Sequence, residues 1–120
     1  SDLIRGHTMN TEEQIEVLEA NMAESKHFVD VKDSMVKLQK NRDFKKVITE
    51  YYFKEEAARL VMAKSSNLTE EQQMVIDKMI YGIGSLAKFF DSVLSRGVQS
   101  EQQLADDEET KALLIQEGLA

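Results

Sequence analysis

The sequence of 120 residues contains no cysteine and no proline, and it has only five glycines. The absence of cysteine excludes disulfides and thiolate chemistry, and it leaves the redox compartment unreadable. A β-rich chain of this length would normally need more turn residues. Hydrophobic residues make up 42% of the chain, which is too many for a wholly disordered protein. We therefore expect one all-α domain built from long helices and short loops.

Long apolar runs and a secretory signal are also missing. No stretch approaches the ~18 apolar residues of a membrane span, so we expect no membrane partner. The first residues lack a basic region followed by an apolar one. A cytosolic setting is therefore expected, the cytoplasm of a host cell included. Ser1 to Thr8 differ in character from the rest of the chain and resemble an expression-tag remnant, so they are left out of the functional interpretation.

The net charge of −7 is unevenly distributed. Residues 9–30 and 97–120 each carry a local charge of −5, whereas residues 31–64 carry +4. The charged side chains either form solvated helix faces, or they form surfaces through which the acidic ends contact the basic middle of a neighbouring subunit or partner. The acidic ends would repel DNA, so we do not expect a nucleic-acid partner. DNA mimicry is also disfavoured, because such mimics tend to be far more acidic.

The first predicted helix extends from Thr11 to about Gln39, and Thr11 with Gln14 fits a capping box. A narrow apolar seam recurs at nearly seven-residue spacing and consists of Ile15, Leu18, Met22, Val29 and Val36. Ser25 interrupts this seam in the acidic half of the helix. We expect that half to project from the body or to pair with another copy.

The second predicted helix occupies Asp43 to Lys64 and is capped by Asn41 or Asp43. Its broad apolar face is formed by Phe44, Val47, Ile48, Tyr51, Tyr52, Ala58, Val61 and Met62. A third helix begins at a Thr69–Gln72 capping box and is expected to stop at Gly97. The predicted organisation is a helical domain of residues 9–97, coiled-coil-like with three helices. Residues 98–120 then form a short acidic helix or mobile tail.

The sequence offers no recognisable catalytic or metal-binding constellation. His27 is the only histidine outside the first eight residues, and a zinc site needs several histidine or cysteine ligands. Gly82-Ile83-Gly84 lacks both the GK[ST] and the preceding strand of a phosphate loop. We therefore predict a protein that is not an enzyme, with no catalytic residues, no cofactor and no metal.

Candidate interface residues are large apolar side chains. Adjacent Tyr51 and Tyr52 would point about 100° apart on an α-helix, so one of them is expected at an interface. The alternative is that Tyr51, Tyr52 and Phe53 all lie in the core, because three packed helices can cover a wide arc. The complete candidate set is Phe28, Tyr51, Tyr52, Phe53, Leu113, Leu114 and Ile115. Gly82 and Gly84 are predicted to allow close packing against the aromatic run of the second helix, unless they kink their own helix.

One stretch resembles a known group of proteins. LQKNRDFKKVITEYYFKEEAARLVMAK (Leu38 to Lys64), followed by a capped helix containing MIYGIGSLAKFF, is similar to small uncharacterised helical proteins of tailed bacteriophages. The resemblance covers most of Met9 to Ala120 and implies a setting among virion morphogenesis genes. It transfers no catalytic residue.

These observations lead to two expectations for function. The first is a non-enzymatic phage protein that self-associates as a homo-oligomer and forms part of, or assists, virion assembly with other virion proteins. The second is a phage regulator or inhibitor that binds a host protein through acidic helical surfaces. The expected location is the host cytoplasm or the virion.

Overall fold

The structure, a computed structural model, describes residues 9–119 and contains no strand within that range. The predicted all-α fold is confirmed, and the long N-terminal helix packs with the long C-terminal one. The elements in chain order are α1 (Thr11–Lys40), α2 (Arg42–Phe44), a π-helix (Lys45–Glu56), α3 (Ala57–Lys64) and α4 (Glu70–Leu119). The predicted tag remnant, residues 1–8, lies outside the described residues.

Side-chain caps fix where the helices begin. The expected box of Thr11 with Gln14 is wrong, because Asn10 caps α1: its Oδ1 accepts from the Glu13 N–H at 2.8 Å. Asn41 caps α2 by accepting from two backbone N–H groups, those of residues 43 and 44. The Thr69–Gln72 capping box is confirmed in both directions, at 2.9 and 3.1 Å.

The second predicted helix is π-helical over the 12 residues from Lys45 to Glu56. A π-helix takes nearly one residue more per turn than the 3.6 of an α-helix, because its bonds join residue i to i+5. Phe44 and Phe53, nine residues apart, would lie on opposite faces of an α-helix. Here both rings contact Phe90, each at 5.7 Å between centroids. The wider turns therefore bring two aromatic side chains onto one face.

The π-helix also shifts which face of α3 is buried. We expected Ala58, Val61 and Met62 to continue the apolar face, but all three are exposed. Leu60 is the buried residue of α3, with 2% of its surface accessible. The prediction assumed 3.6 residues per turn throughout, and the wider π turns displaced the inward face.

Helix α4 does not stop at Gly97 but continues to Leu119. A glycine that ends a helix usually adopts positive φ, and none of the described glycines does so. Gly97 is instead buried within the helix. Packing therefore overrides the roughly 1 kcal/mol that glycine costs in a helix interior. The expected tail of residues 98–120 is helical over its described part.

The described chain divides into two compact units. The terminal unit comprises residues 9–31 and 96–119, and the central unit is Lys32–Ser95. This division differs from the predicted boundary at residues 97 and 98. Both long helices contribute to both units.

In the terminal unit, α1 pairs with the C-terminal part of α4. Lys111 Nζ lies 3.5 Å from Glu19 Oε1, and a Cβ on Gly118 would stand 3.7 Å from the Thr11 methyl group. Covered positions of α4 recur at alternating steps of three and four residues, the spacing of a coiled-coil seam. They are Gly97, Ser100, Leu104, Asp107, Lys111 and Leu114. The acidic half of α1 therefore pairs within its own chain.

The central unit has a small core in which Met35, Leu60 and Ile83 are buried. The rings of Phe44, Phe53 and Phe90 lie partly buried. Lys64 Nζ and Asp77 Oδ1, 2.6 Å apart, link α3 to the first part of α4. An exposed ion pair of this kind contributes about 0–1 kcal/mol, so apolar packing carries the stability of this unit.

Candidate interaction surfaces

Helix α4 carries a second apolar stripe in the central unit. Met74, Tyr81 and Phe89 are seven and eight residues apart, which is about two helical turns each, so they share one face. They are 55%, 78% and 57% exposed. Ile83 and Phe90 lie on other faces of the same helix and are covered. A helix that is apolar on both sides is typical of one buried on both sides. We call Met74, Tyr81 and Phe89 the outer stripe.

Sequence reasoning missed the outer stripe. The spacing of seven and eight residues between its members could have indicated this face. The apolar residues on the covered side of the same helix form a stronger periodic pattern, and that pattern was the one interpreted. Further exposed apolar side chains of the central unit are Leu38, Val47, Tyr51, Val61, Met62, Val75 and Met79. The exposed large apolar side chains of the central unit thus outnumber its three buried ones.

The structure separates the aromatic candidates of the second helix into exposed and covered members. Tyr51 is 58% exposed. Tyr52 is partly buried, with its ring 5.8 Å from that of Phe53. Phe53 packs on Phe90 within the central unit. Tyr51 is therefore the member of this run that is available to a partner.

The two candidate packing glycines differ from expectation. A Cβ on Gly82 would stand 3.8 Å from the Tyr52 hydroxyl, which is ordinary van der Waals contact. A Cβ on Gly84 would meet nothing within 4 Å. Tyr52 is one of the neighbours we expected, but neither position requires the absence of a side chain.

The remaining candidates lie in the terminal unit. The Phe28 ring is partly buried beneath the Arg96 guanidinium, whose carbon is 4.1 Å from the ring centroid. Leu114 is partly buried in the helix seam, whereas Leu113 and Ile115 are exposed. The structure thus keeps Phe28 and Leu114 in intramolecular packing and leaves the other two facing outward.

A polar groove of ≈ 510 Å³ runs along the terminal unit. Its lining residues are Asn21, Glu24, Ser25, Phe28, Arg96, Gln99, Ser100, Gln103 and Asp107. Asp107 is only 6% exposed. Its Oδ1 accepts a hydrogen bond from Gln103 Nε2 at 2.9 Å, while its buried Oδ2 has no hydrogen-bond partner. A buried carboxylate oxygen without a partner is costly, so this atom needs a donor.

A basic corner lies in the central unit where α1 ends and α2 begins. Its side chains are Lys37, Lys40, Arg42, Lys45 and Lys46, and all five are exposed. Four of them line a groove of ≈ 380 Å³ together with Glu50. Within the described chain no carboxylate forms an ion pair with any of the five.

The remaining titratable groups are characterised by their exposure and their partners. His27 is exposed, with its ring 5.4 Å from the Phe28 ring. Among the described residues, no cluster of three or more His, Cys, Asp or Glu side chains is arranged to hold a metal ion. The hydrogen bonds from Arg59 hold the pKa of Glu56 below its ordinary value and raise the pKa of Arg59. This pair is exposed and lines neither of the two polar grooves.

None of the described helices is both long and apolar enough to cross a membrane. Comparison of the chain with protein families, curated proteins and solved structures finds no match. Function is therefore inferred from the surfaces themselves and from the sequence.

Proposed function

We propose that this is a non-enzymatic protein of a tailed bacteriophage that acts in virion assembly, as a component or an accessory, by self-association. The outer stripe of α4 is the observation that carries the proposal. The resemblance of Leu38 to Lys64 to small phage proteins supports the setting. The partners are further copies of this chain, and other virion proteins join through the same class of apolar contact.

The outer stripe is large enough to matter energetically. Burying one large apolar side chain stabilises a contact by about 1.5–3 kcal/mol. Two copies that bury Met74, Tyr81 and Phe89 against each other would together gain on the order of 12 kcal/mol by the same estimate. Association itself costs about 4–15 kcal/mol in lost freedom and ordering. The stripe alone thus supports a weak contact, and other exposed apolar side chains of the central unit, Tyr51 among them, are needed for a stable one.

The test is the absolute mass of the full chain in solution, measured by light scattering after size exclusion over a range of concentrations. We expect an oligomer that Tyr81→Asp dissociates, because the substitution places a charge in the middle of the apolar contact. Ser95→Asp is the matched control, since it adds the same charge at an exposed position of the same helix outside the stripe. Circular dichroism shows whether both variants keep their helices.

Two outcomes would contradict self-association through this stripe. One is a wild-type mass that stays monomeric at every concentration. The other is an oligomer that survives Tyr81→Asp as well as it survives Ser95→Asp. An oligomer disrupted equally by both substitutions would indicate a general effect of charge rather than a contact at the stripe.

A second candidate function is a phage regulator that binds a host protein. Its support is the charge of the terminal unit, which has twelve acidic side chains against three basic ones among its described residues, a net charge of −9. Neutralising exposed Asp106, Glu108 and Glu109 to their amides leaves the helix seam intact. A regulator would lose its captured host protein on this change, whereas a self-assembling protein would keep its mass.

A further inference from the structure

We infer that the groove of the terminal unit receives a lysine or arginine side chain from the basic corner of a second copy, with Asp107 Oδ2 accepting the hydrogen bond. This inference rests on the proposed self-association and names a second contact within it. The outer stripe supplies an apolar contact between copies, and this groove supplies a polar one.

Asp107 differs from its neighbour in a way that points to a ligand. Asp106 and Asp107 make the same local contact, since each accepts from a glutamine four residues earlier in the chain. Asp106 is exposed, so its other oxygen is open to solvent. Asp107 lines the groove but is only 6% exposed, and its Oδ2 is buried without a hydrogen-bond partner. A charged N–H donor is the group that such an oxygen binds most strongly.

The charges of the two units favour a second copy as the source of that donor. The terminal unit pairs two acidic helices and carries −9, so its field attracts cations. The central unit carries eleven basic and nine acidic side chains, and five of the basic ones form the basic corner. Lysine and arginine side chains reach far enough from a helix to enter a groove.

The groove fits a side-chain cation better than a metal ion. Its carboxylates belong to Glu24 and Asp107, and its other polar groups, apart from the Arg96 guanidinium, are amides and hydroxyls. No three metal-ligating side chains converge in the described chain. A volume of ≈ 510 Å³ accommodates an extended aliphatic side chain with its ammonium or guanidinium group. Arg96 is held over the Phe28 ring within the same unit.

A contact of this kind joins two different surfaces. It is heterologous unless two copies exchange it reciprocally, and heterologous contacts build rings or extended assemblies. It also predicts that complementary variants will recognise each other. A chain in which the charges of the basic corner are reversed still has an intact groove. A chain in which the carboxylates of the groove are replaced by amides still has an intact basic corner.

The experiment uses full-length chains and sedimentation velocity at low salt. The corner variant is K45E/K46E and the groove variant is E24Q/D107N. We expect each variant alone to associate at least about tenfold more weakly than wild type. An equimolar mixture is expected to regain association, because one intact contact forms between the two kinds of chain. Sodium chloride at about 0.5 M should weaken this recovery, since the contact is between charges.

Matched controls separate the contact from general charge effects. K26E/K54E makes the same charge change as the corner variant at two exposed lysines that lie outside the basic corner, the groove and the outer stripe. Asp106→Asn makes the same change as Asp107→Asn at the exposed neighbour. Both controls should associate as wild type does, and circular dichroism should show unchanged helix content in all chains.

The outcomes distinguish failure of this inference from failure of the proposed function. If wild type associates, Tyr81→Asp abolishes association and neither charge variant weakens it, self-association stands and the groove contact is overturned. A mixture that recovers nothing also overturns the contact. A monomeric wild-type chain overturns both. A further outcome is that K45E/K46E associates as wild type does but no longer binds single-stranded DNA that wild type binds. The basic corner would then be a nucleic-acid contact, and the inference would fail.

Discussion

Replacing Asp107 by leucine should stabilise the isolated chain, although it removes a charge that the proposed assembly uses. The substitution removes a buried oxygen without a partner, which costs about 1–3 kcal/mol. It also adds an apolar side chain to a seam that already contains Leu104 and Leu114, and burial of a leucine contributes about 1.5–3 kcal/mol. Loss of the hydrogen bond from Gln103 costs about 1 kcal/mol, which offsets part of this stabilisation. We expect a net stabilisation of about 1.5–5 kcal/mol from these contributions.

The assay is urea denaturation followed by circular dichroism at a concentration below association. Asp106→Leu is the matched control, because it breaks the equivalent bond from Gln102 at an exposed position and should change stability by no more than about 0.5 kcal/mol. If Asp107→Leu is no more stable than this control, the buried and unpartnered environment assigned to Asp107 is wrong. The same variant should associate more weakly than wild type, so stability and association should move in opposite directions.

Four further predictions concern the helices. Gly84→Ala should raise the free energy of unfolding by about 0.5–1 kcal/mol in thermal denaturation, because the added methyl group meets open space. Leu60→Ala should lower it by about 2–5 kcal/mol, whereas Met62→Ala, at an exposed position of the same helix, should change it little. Added salt should slow amide hydrogen exchange in the terminal unit, because it screens the repulsion between two acidic helices. Arg59→Gln removes the charged guanidinium beside Glu56, so the pKa of Glu56 should rise toward its ordinary value in an NMR titration. The small stabilisation from this pair is present above the unfolded-state pKa of Glu56 and is lost as pH falls through the folded-state pKa.

The sequence predicted the helix class and two of the three caps. It could not predict the π-helix, because the pattern of apolar residues over Lys45–Glu56 was interpreted at 3.6 residues per turn. That choice placed Val61 and Met62 inward and overlooked Leu60. Phe44 and Phe53 both contact the Phe90 ring, and these are tertiary contacts that local helix propensity does not predict.

The C-terminal half of α4 was misinterpreted for a different reason. Gly97 and the acidic stretch after it favour a helix end and a mobile tail on local grounds. The steps of three and four residues from Gly97 to Leu114 were visible in the sequence, but several of these positions are occupied by small or charged residues rather than apolar ones. A seam with such content is recognisable only when its partner, the first half of α1, is known to lie against it.

The outer stripe and the groove of Asp107 have complementary roles in the proposed assembly. Apolar contacts supply affinity but discriminate poorly between registers, because one apolar side chain replaces another at little cost. A charged contact adds less net affinity, since desolvation offsets much of the attraction, but it penalises any arrangement that leaves the charge unpaired. A chain that used only the outer stripe would associate in several orientations. The unpartnered Asp107 oxygen would favour those orientations in which a basic corner reaches the groove, and in this way a carboxylate that destabilises the single chain would determine the order of the assembly.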